Sequence, residues 1–322
     1  METRMLGLAF GVAAVLLSNR GATAQKFDVQ QPVQLTDLPL QQMNAMISPA
    51  GDQIAFWGRE GTQTNNVWLI NSDGKTPPTN LTSNGNSGSP AFSRDGQRIL
   101  YSSTTGGNNW NLWSMRPDGT EKGQLTSGSP HEASVNELPN GRLLFQEWGP
   151  MVVATRASDG SDRHLLPTHA DVQQPRIDPS GRYITYHTQA SSGTPYDIFV
   201  YDILLGTERQ LTSDACEQGY PSFSPDGKWI VYQSKEDGGA DFDIWITDAA
   251  SGTIRQHITT GTANDMYPHF FPDGYRVLFS SGADGGGYDD LWVVEIPEPC
   301  TLVFFCVGFV AIARRQRMRR AI

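Results

Sequence analysis

Between residues 41 and 296 the apolar positions fall in short clusters, and the clusters return at a steady spacing. One cluster type is a triplet with β preference: Ile54-Ala55-Phe56, Ile99-Leu100-Tyr101, Ile184-Thr185-Tyr186, Ile230-Val231-Tyr232 and Val277-Leu278-Phe279. A second opens with Asp or Asn: Asn66-Val67-Trp68, Asn111-Leu112-Trp113, Asp197-Ile198-Phe199, Asp243-Ile244-Trp245 and Asp290-Leu291-Trp292. A third is a Leu-Thr or Ile-Thr pair at 81–82, 125–126, 211–212 and 258–259. Ahead of each triplet stands a tight-turn phrase, such as Pro221-Ser222-Phe223-Ser224-Pro225-Asp226-Gly227. Glycine there supplies the positive φ that a sharp reversal needs. The turn glycines Gly51, Gly96, Gly141, Gly181, Gly227 and Gly274 lie 45, 45, 40, 46 and 47 residues apart.

Four short strands in a unit of this length predict a propeller blade, and six units predict six blades. A lone blade cannot bury both faces of its sheet, so the blades must stack around an axis. The third unit is the least regular: its turn reads Leu138-Pro139-Asn140-Gly141 and it lacks the Asp/Asn-x-Trp element. The sixth unit stops before a fourth strand, while Gln34-Leu35-Thr36 stands ahead of the first unit with no blade of its own. Leu35 precedes Ile47 by 12 residues, as Leu211 precedes Phe223. The N-terminal segment is therefore expected to supply the outer strand of the last blade and to close the ring.

Composition agrees with strands and turns: 33 Gly and 20 Pro in 322 residues. Residues 25–299 carry 33 acidic and 17 basic side chains, a balance of −16. Such a body repels nucleic acid and anionic lipid, and no nucleic-acid partner is expected. The two ends differ from this body. Residues 1–24 read as a secretory signal: Arg4, an apolar run from Met5 to Ser18, then Ala22-Thr23-Ala24. At the other end Pro297-Glu298-Pro299 precedes an apolar stretch from Cys300 to Ala313 and a basic tail from Arg314. Each end is expected to form a short apolar helix, and these are the only segments expected to meet a membrane. Cys300 and Cys306 lie in the tail, so the body holds Cys216 alone and no internal disulfide can form.

The phrase Phe-Ser-Pro-Asp-Gly, the Asp-Ile-Trp strand and the Leu-Thr strand resemble the PD40 (WD40-like) repeats of TolB-like β-propellers. The resemblance runs over residues 34–296 and implies an all-β six-bladed propeller. The order Pro-Glu-Pro, apolar stretch, arginines resembles the PEP-CTERM sorting signal of Gram-negative, exopolysaccharide-producing bacteria. It implies export to the periplasm, outer surface or extracellular matrix and handling by an exosortase-type enzyme, after a transient anchoring of the tail. The expected organisation is a signal peptide over 1–24, a propeller over 25–296 and a sorting signal over 297–322.

Signals for catalysis are thin. There is no Gly-x-Ser-x-Gly elbow, phosphate loop or dinucleotide fingerprint. His131-Glu132 lacks a second His four positions on, so the zincin pattern fails. The Asp and Asn that recur in every third strand read as scaffold. Asp237, Asp241 and Asp243 form an acidic loop open to Ca²⁺ but without EF-hand spacing; no cofactor is otherwise implied. Function in propellers sits where blades differ, on the loops that lead into the inner strands. Four residues before each phrase Pro, or its equivalent, stand Gln41, Asn86, His131, Asp171, Glu217 and Asn264. With Glu132 and Asp265 they predict a polar, acidic ring at one mouth of the channel. Tyr220 and Tyr267, each just before a phrase Pro, either stack on a sugar or fill space beside the channel. The expected function is non-catalytic binding of an envelope protein or glycan. The alternative is a metal-dependent polysaccharide lyase with His131, Glu132 and His169 as ligands.

Overall fold

The computed structural model describes residues 27–296, apart from 62–63, 84–85, 150, 236–237 and 284–288. The two terminal segments, with the expected signal, sorting motif and apolar helices, lie outside the described residues. Regular structure in the described part consists of 24 strands in six four-stranded antiparallel sheets. Each sheet is one blade. The inner strands are β2 (Gln41–Ile47), β6 (Ser87–Phe92), β10 (His131–Glu137), β14 (Gln173–Ile177), β18 (Gln218–Phe223) and β22 (Asp265–Phe270).

The last blade runs β22, β23 (Arg276–Ser281), β24 (Asp290–Glu295) and then β1 (Val33–Gln34). The ring is thus closed by the N-terminal strand, with Val33 opposite Val293 and Gln34 opposite Trp292. The register has a chemical reason. In four blades the Thr of the Leu-Thr or Ile-Thr pair accepts the amide of the residue after the Asp or Asn. Val67, Leu112, Ile198 and Ile244 donate to Thr82, Thr126, Thr212 and Thr259, all at 2.9 Å. Leu291 makes the same 2.9 Å bond to Thr36 Oγ1, and Leu35 donates its amide to the Leu291 carbonyl at 2.8 Å. Leu35-Thr36 is the missing pair of the sixth blade.

Burial follows the stacking. The apolar core separates into six clusters, one at each blade–blade interface. The cluster joining blade six to blade one sets Phe271, Leu278 and Leu291 against Ile47, Ile54 and Phe56. Each blade therefore buries its faces only because its neighbours are present.

The third blade is complete despite its irregular sequence, with β10, β11 (Leu143–Trp148), β12 (Val152–Arg156) and β13 (His164–Leu165) in order. Where other blades place Asp or Asn, this one has Val152, which lies opposite Glu147 in the sheet. Two buried carboxylates take over the polar work. Glu132 pairs with Arg156 at 2.9 Å, and Glu147 with Arg163.

Gly74 sits against the closing segment. Its φ is +66°, and a Cβ there would lie 2.2 Å from the Leu35 carbonyl oxygen. Gly61 has a similar φ of +54° but open space around it. Gly74→Ala is therefore expected to lower the melting temperature clearly more than Gly61→Ala, since both share the backbone penalty and only one adds a clash. Thr36→Val leaves the buried Leu291 amide without a partner and is expected to cost about 1–3 kcal/mol in urea unfolding.

Candidate functional site

The inner strands do not run as plain strands. Each carries a register shift of one residue against its neighbour. Within each shift lies a non-glycine residue in the left-handed region: Asn44, Ser89, Ser134, Gln174, Tyr220 and Tyr267, with φ between 47° and 58°. A bulge of this kind re-aims side chains, and six of them surround one axis. Asn44, Gln174, Tyr220 and Tyr267 form a neck of about 10 Å³ in the channel, with Met46, Arg176 and His269 beneath them. The two tyrosines meet edge to face at 4.5 Å. Burial raises both phenol pKa values, so they are neutral.

Above the neck, at the N-terminal ends of the inner strands, lies a cavity of about 240 Å³. Its walls are aromatic: Trp57, Trp110 and Trp148, with Tyr220 and Tyr267 as the floor. Trp148 is 41% exposed. It stacks near His131 at 6.2 Å and lies 6.4 Å from Trp110. Polar groups on the same wall are Asn44, Asn65, Ser89 and Gln174.

The predicted ring residues stand at this end of the channel, but most are already engaged. His131 Nδ1 accepts the Trp110 amide at 3.1 Å. Asn86 accepts the Asn65 amide at 3.3 Å, and Asn264 accepts that of Phe242 at 3.0 Å. Each of these three fastens the loop of the preceding blade. Gln41 donates to Asp289, and Asp171 accepts the Tyr196 hydroxyl at 2.8 Å. Glu217 is exposed, and its backbone carbonyl receives the Lys235 amide.

Glu132 and Asp265 are not open to the mouth: they are 2% and 7% exposed. Glu132 accepts the Thr126 hydroxyl and pairs with Arg156. Asp265 is hydrogen-bonded to Ser281 and Thr259, and burial raises its pKa. Both occupy the position of Gln42, which joins Thr36 and Asp290 across the closing interface. They are clamps between blades, a correction to the acidic ring.

The candidate metal ligands have separate partners. His131 belongs to the aromatic wall, Glu132 to its clamp, and His169 pairs with Glu208 while packing on Phe199 at 4.9 Å. Among the described residues no group of three His, Cys, Asp or Glu is placed to hold a metal ion. Of the acidic loop, Asp243 pairs with His257, and Asp237 lies outside the described residues.

The Asp of the third strands does more than hold local backbone. Asp290 accepts from Thr36, the Leu38 amide and Gln42. Asp197 accepts from Gln210 and Thr212, yet burial still pushes its carboxyl up to about 6.

The family model of the TolB beta propeller domain matches residues 158–297. That match covers less than half of the chain, whose described residues form an all-β six-bladed propeller. TolB from Acinetobacter baumannii superposes with a TM-score of 0.60 at 21% identity, over 71% of this chain and 57% of that one. The chain thus spans little more than half of that relative. A putative TolB from Agrobacterium tumefaciens gives 0.59 at 15% identity, covering 81% of this chain and 92% of that one. Oligogalacturonate lyase from Vibrio parahaemolyticus gives 0.57 at 14%, covering 85% and 97%. At these identities the likeness is one of fold, and propellers carry unrelated activities. No curated protein matches the chain.

The raised Asp197 has a consequence that can be measured. A carboxyl whose pKa is higher folded than unfolded stabilises the fold fully below its unfolded value of about 3.8, and that contribution is lost as pH rises through about 6. Asn66 and Asn111 show that Asn fits the same strand position. Asp197→Asn is expected to fold and to remove a fall in stability on the order of 1–2 kcal/mol between those pH values, read from urea midpoints across the range.

Proposed function

We propose that this protein is an exported, non-catalytic binding protein that takes a glycan of the cell envelope or exopolysaccharide matrix on the aromatic mouth of its propeller. The observation that carries the reading is the wall of Trp57, Trp110 and Trp148 around the 240 Å³ cavity. Flat indole faces bury the apolar faces of sugar rings, and the nearby amides and hydroxyls of Asn44, Asn65, Ser89 and Gln174 answer sugar hydroxyls. The three tryptophans break the repeat. They are not the strand tryptophans 68, 113, 245 and 292 that recur from blade to blade. Tryptophans that line a mouth outside the repeating positions support a binding role.

Export rests on the terminal segments. In this reading residues 1–24 are a signal peptide, residues 297–322 a sorting signal, and an exosortase-type enzyme the processing partner. The TolB-like fold is consistent with an envelope location. Among the described residues no helix is long and apolar enough to cross a membrane. The separate partners of His131, Glu132 and His169 support a binding role over a lyase.

Affinity electrophoresis through gels carrying dextran or xanthan tests the reading. The wild-type chain is expected to be retarded in at least one polysaccharide gel. Trp57→Ala and Trp148→Ala are expected to weaken retardation about tenfold each, the order of one lost stacking contact, with melting unchanged. Equal mobility in plain and polysaccharide gels contradicts the proposal.

A further inference from the structure

The opposite end of the channel holds a second cavity, of about 340 Å³. It lies at the C-terminal ends of the inner strands, where the turn phrases place Pro49, Pro179, Pro225 and Pro272 on its rim. Much of its wall is apolar, from Ile47, Phe92, Ile177, Phe223 and Phe270. Its inner end is set by the residue that follows the phrase Pro or its equivalent in each blade. These six are Met46, Ala91, Asn136, Arg176, Ser222 and His269, and all of them line the cavity. Only Arg176 in this ring carries a charge, because burial and the guanidinium hold the His269 imidazole down at about 4.

Arg176 is 8% exposed. Its hydrogen bonds run to the Asn44 side-chain oxygen at 3.1 Å and to its own neighbour's carbonyl, Pro175, at 3.4 Å. Among the described residues no carboxylate forms an ion pair with it. Two carboxylates line the same cavity, and each is committed elsewhere. Glu137 accepts the Arg94 amide at 2.7 Å. Asp178 accepts the amides of Arg182 and Tyr183 at 2.8 and 2.7 Å. A buried guanidinium without an anion is costly, and its planar fork matches a carboxylate. At the rim Arg94 reaches from the second blade to the Pro179 carbonyl of the fourth, at 3.0 Å. A ligand that enters this end therefore meets one cation at the rim and a second at the inner end. The neck above, of about 10 Å³, has room for roughly one water, so the two ends of the channel are separate sites.

We infer that this lower cavity is a binding site for an organic monocarboxylate with an apolar body, its carboxylate on Arg176 and its body against the apolar wall. The site is distinct from the aromatic mouth and stands whether or not a glycan binds there.

Titration of the full-length chain with benzoate, and with benzyl alcohol as the neutral counterpart, tests the inference by ligand-observed NMR. Benzoate is expected to bind saturably with a Kd at or below about 1 mM, and benzyl alcohol at least about tenfold more weakly. Arg176→Met is expected to abolish the preference for benzoate. Asn44→Asp places a carboxylate beside the guanidinium and is expected to weaken benzoate at least about tenfold while raising the melting temperature. This second variant decides the matter should the first fail to fold. Trp148→Ala at the other mouth is expected to leave benzoate binding unchanged. No saturable binding to the wild type, equal binding to Arg176→Met, or loss on Trp148→Ala overturns the inference.

Discussion

The bond on which the architecture depends joins the two ends of the propeller: the Leu291 amide donates to Thr36 Oγ1, at 2.9 Å. A blade is a small twisted sheet with two apolar faces, and neither face can be covered from within. Covering all of them requires a ring, and a ring requires that the first and last blades meet. The protein meets this demand by building its last blade from both ends of the propeller, with β1 beside β24. Because the Leu35-Thr36 pair makes the same two bonds that Leu-Thr or Ile-Thr makes in four other blades, the junction is chemically ordinary. Closure and blade formation are one interaction repeated.

The same interaction explains where the polar residues near the mouth went. A threonine hydroxyl has one proton and can accept from more than one side. In the closing blade Thr36 accepts the amide of its own sheet and lies within hydrogen-bond reach of Gln42 on the next inner strand. Thr126 does the same with Glu132. Buried carboxylates and amides at the start of inner strands are thereby held between blades, which leaves the mouth itself to aromatic groups and short amides.

Much of the fold was legible because it repeats. A phrase such as Pro-Ser-Phe-Ser-Pro-Asp-Gly has one physical reading, a turn between an inner and a second strand, and the six turn glycines at its end, most of them preceded by a variant of it, count the blades. The orphan Gln34-Leu35-Thr36 announced closure by matching a pair seen elsewhere. The site was legible only in part. Counting back from the turn picked out residues at one end of the channel, but it could not tell a residue that faces the opening from one that faces the next blade. That distinction rests on the inner-strand bulges, and nothing in Asn44, Ser89 or Tyr220 marks a left-handed residue in advance. Two signals were available nonetheless. Trp57, Trp110 and Trp148 fall outside the repeating tryptophan positions, and Pro175 is followed by Arg where other blades have Met, Ala, Asn, Ser or His. Residues that depart from a repeat report on function more directly than residues that fill it.

The two ends of the channel then have different chemistry on one frame. One end is aromatic and polar, the other apolar with a single buried cation, and a neck of tyrosines divides them. Both depend on the ring staying shut. Native-state hydrogen exchange at the amides of Leu35 and Leu291 tests that dependence most directly. If the terminal strand is an integral part of the last blade, both amides exchange only with global unfolding, as slowly as the amides of Val67 and Ile198 in closed blades. Exchange at the rate of a frayed chain end, with the central strands still protected, would show that the ring does not need its first strand.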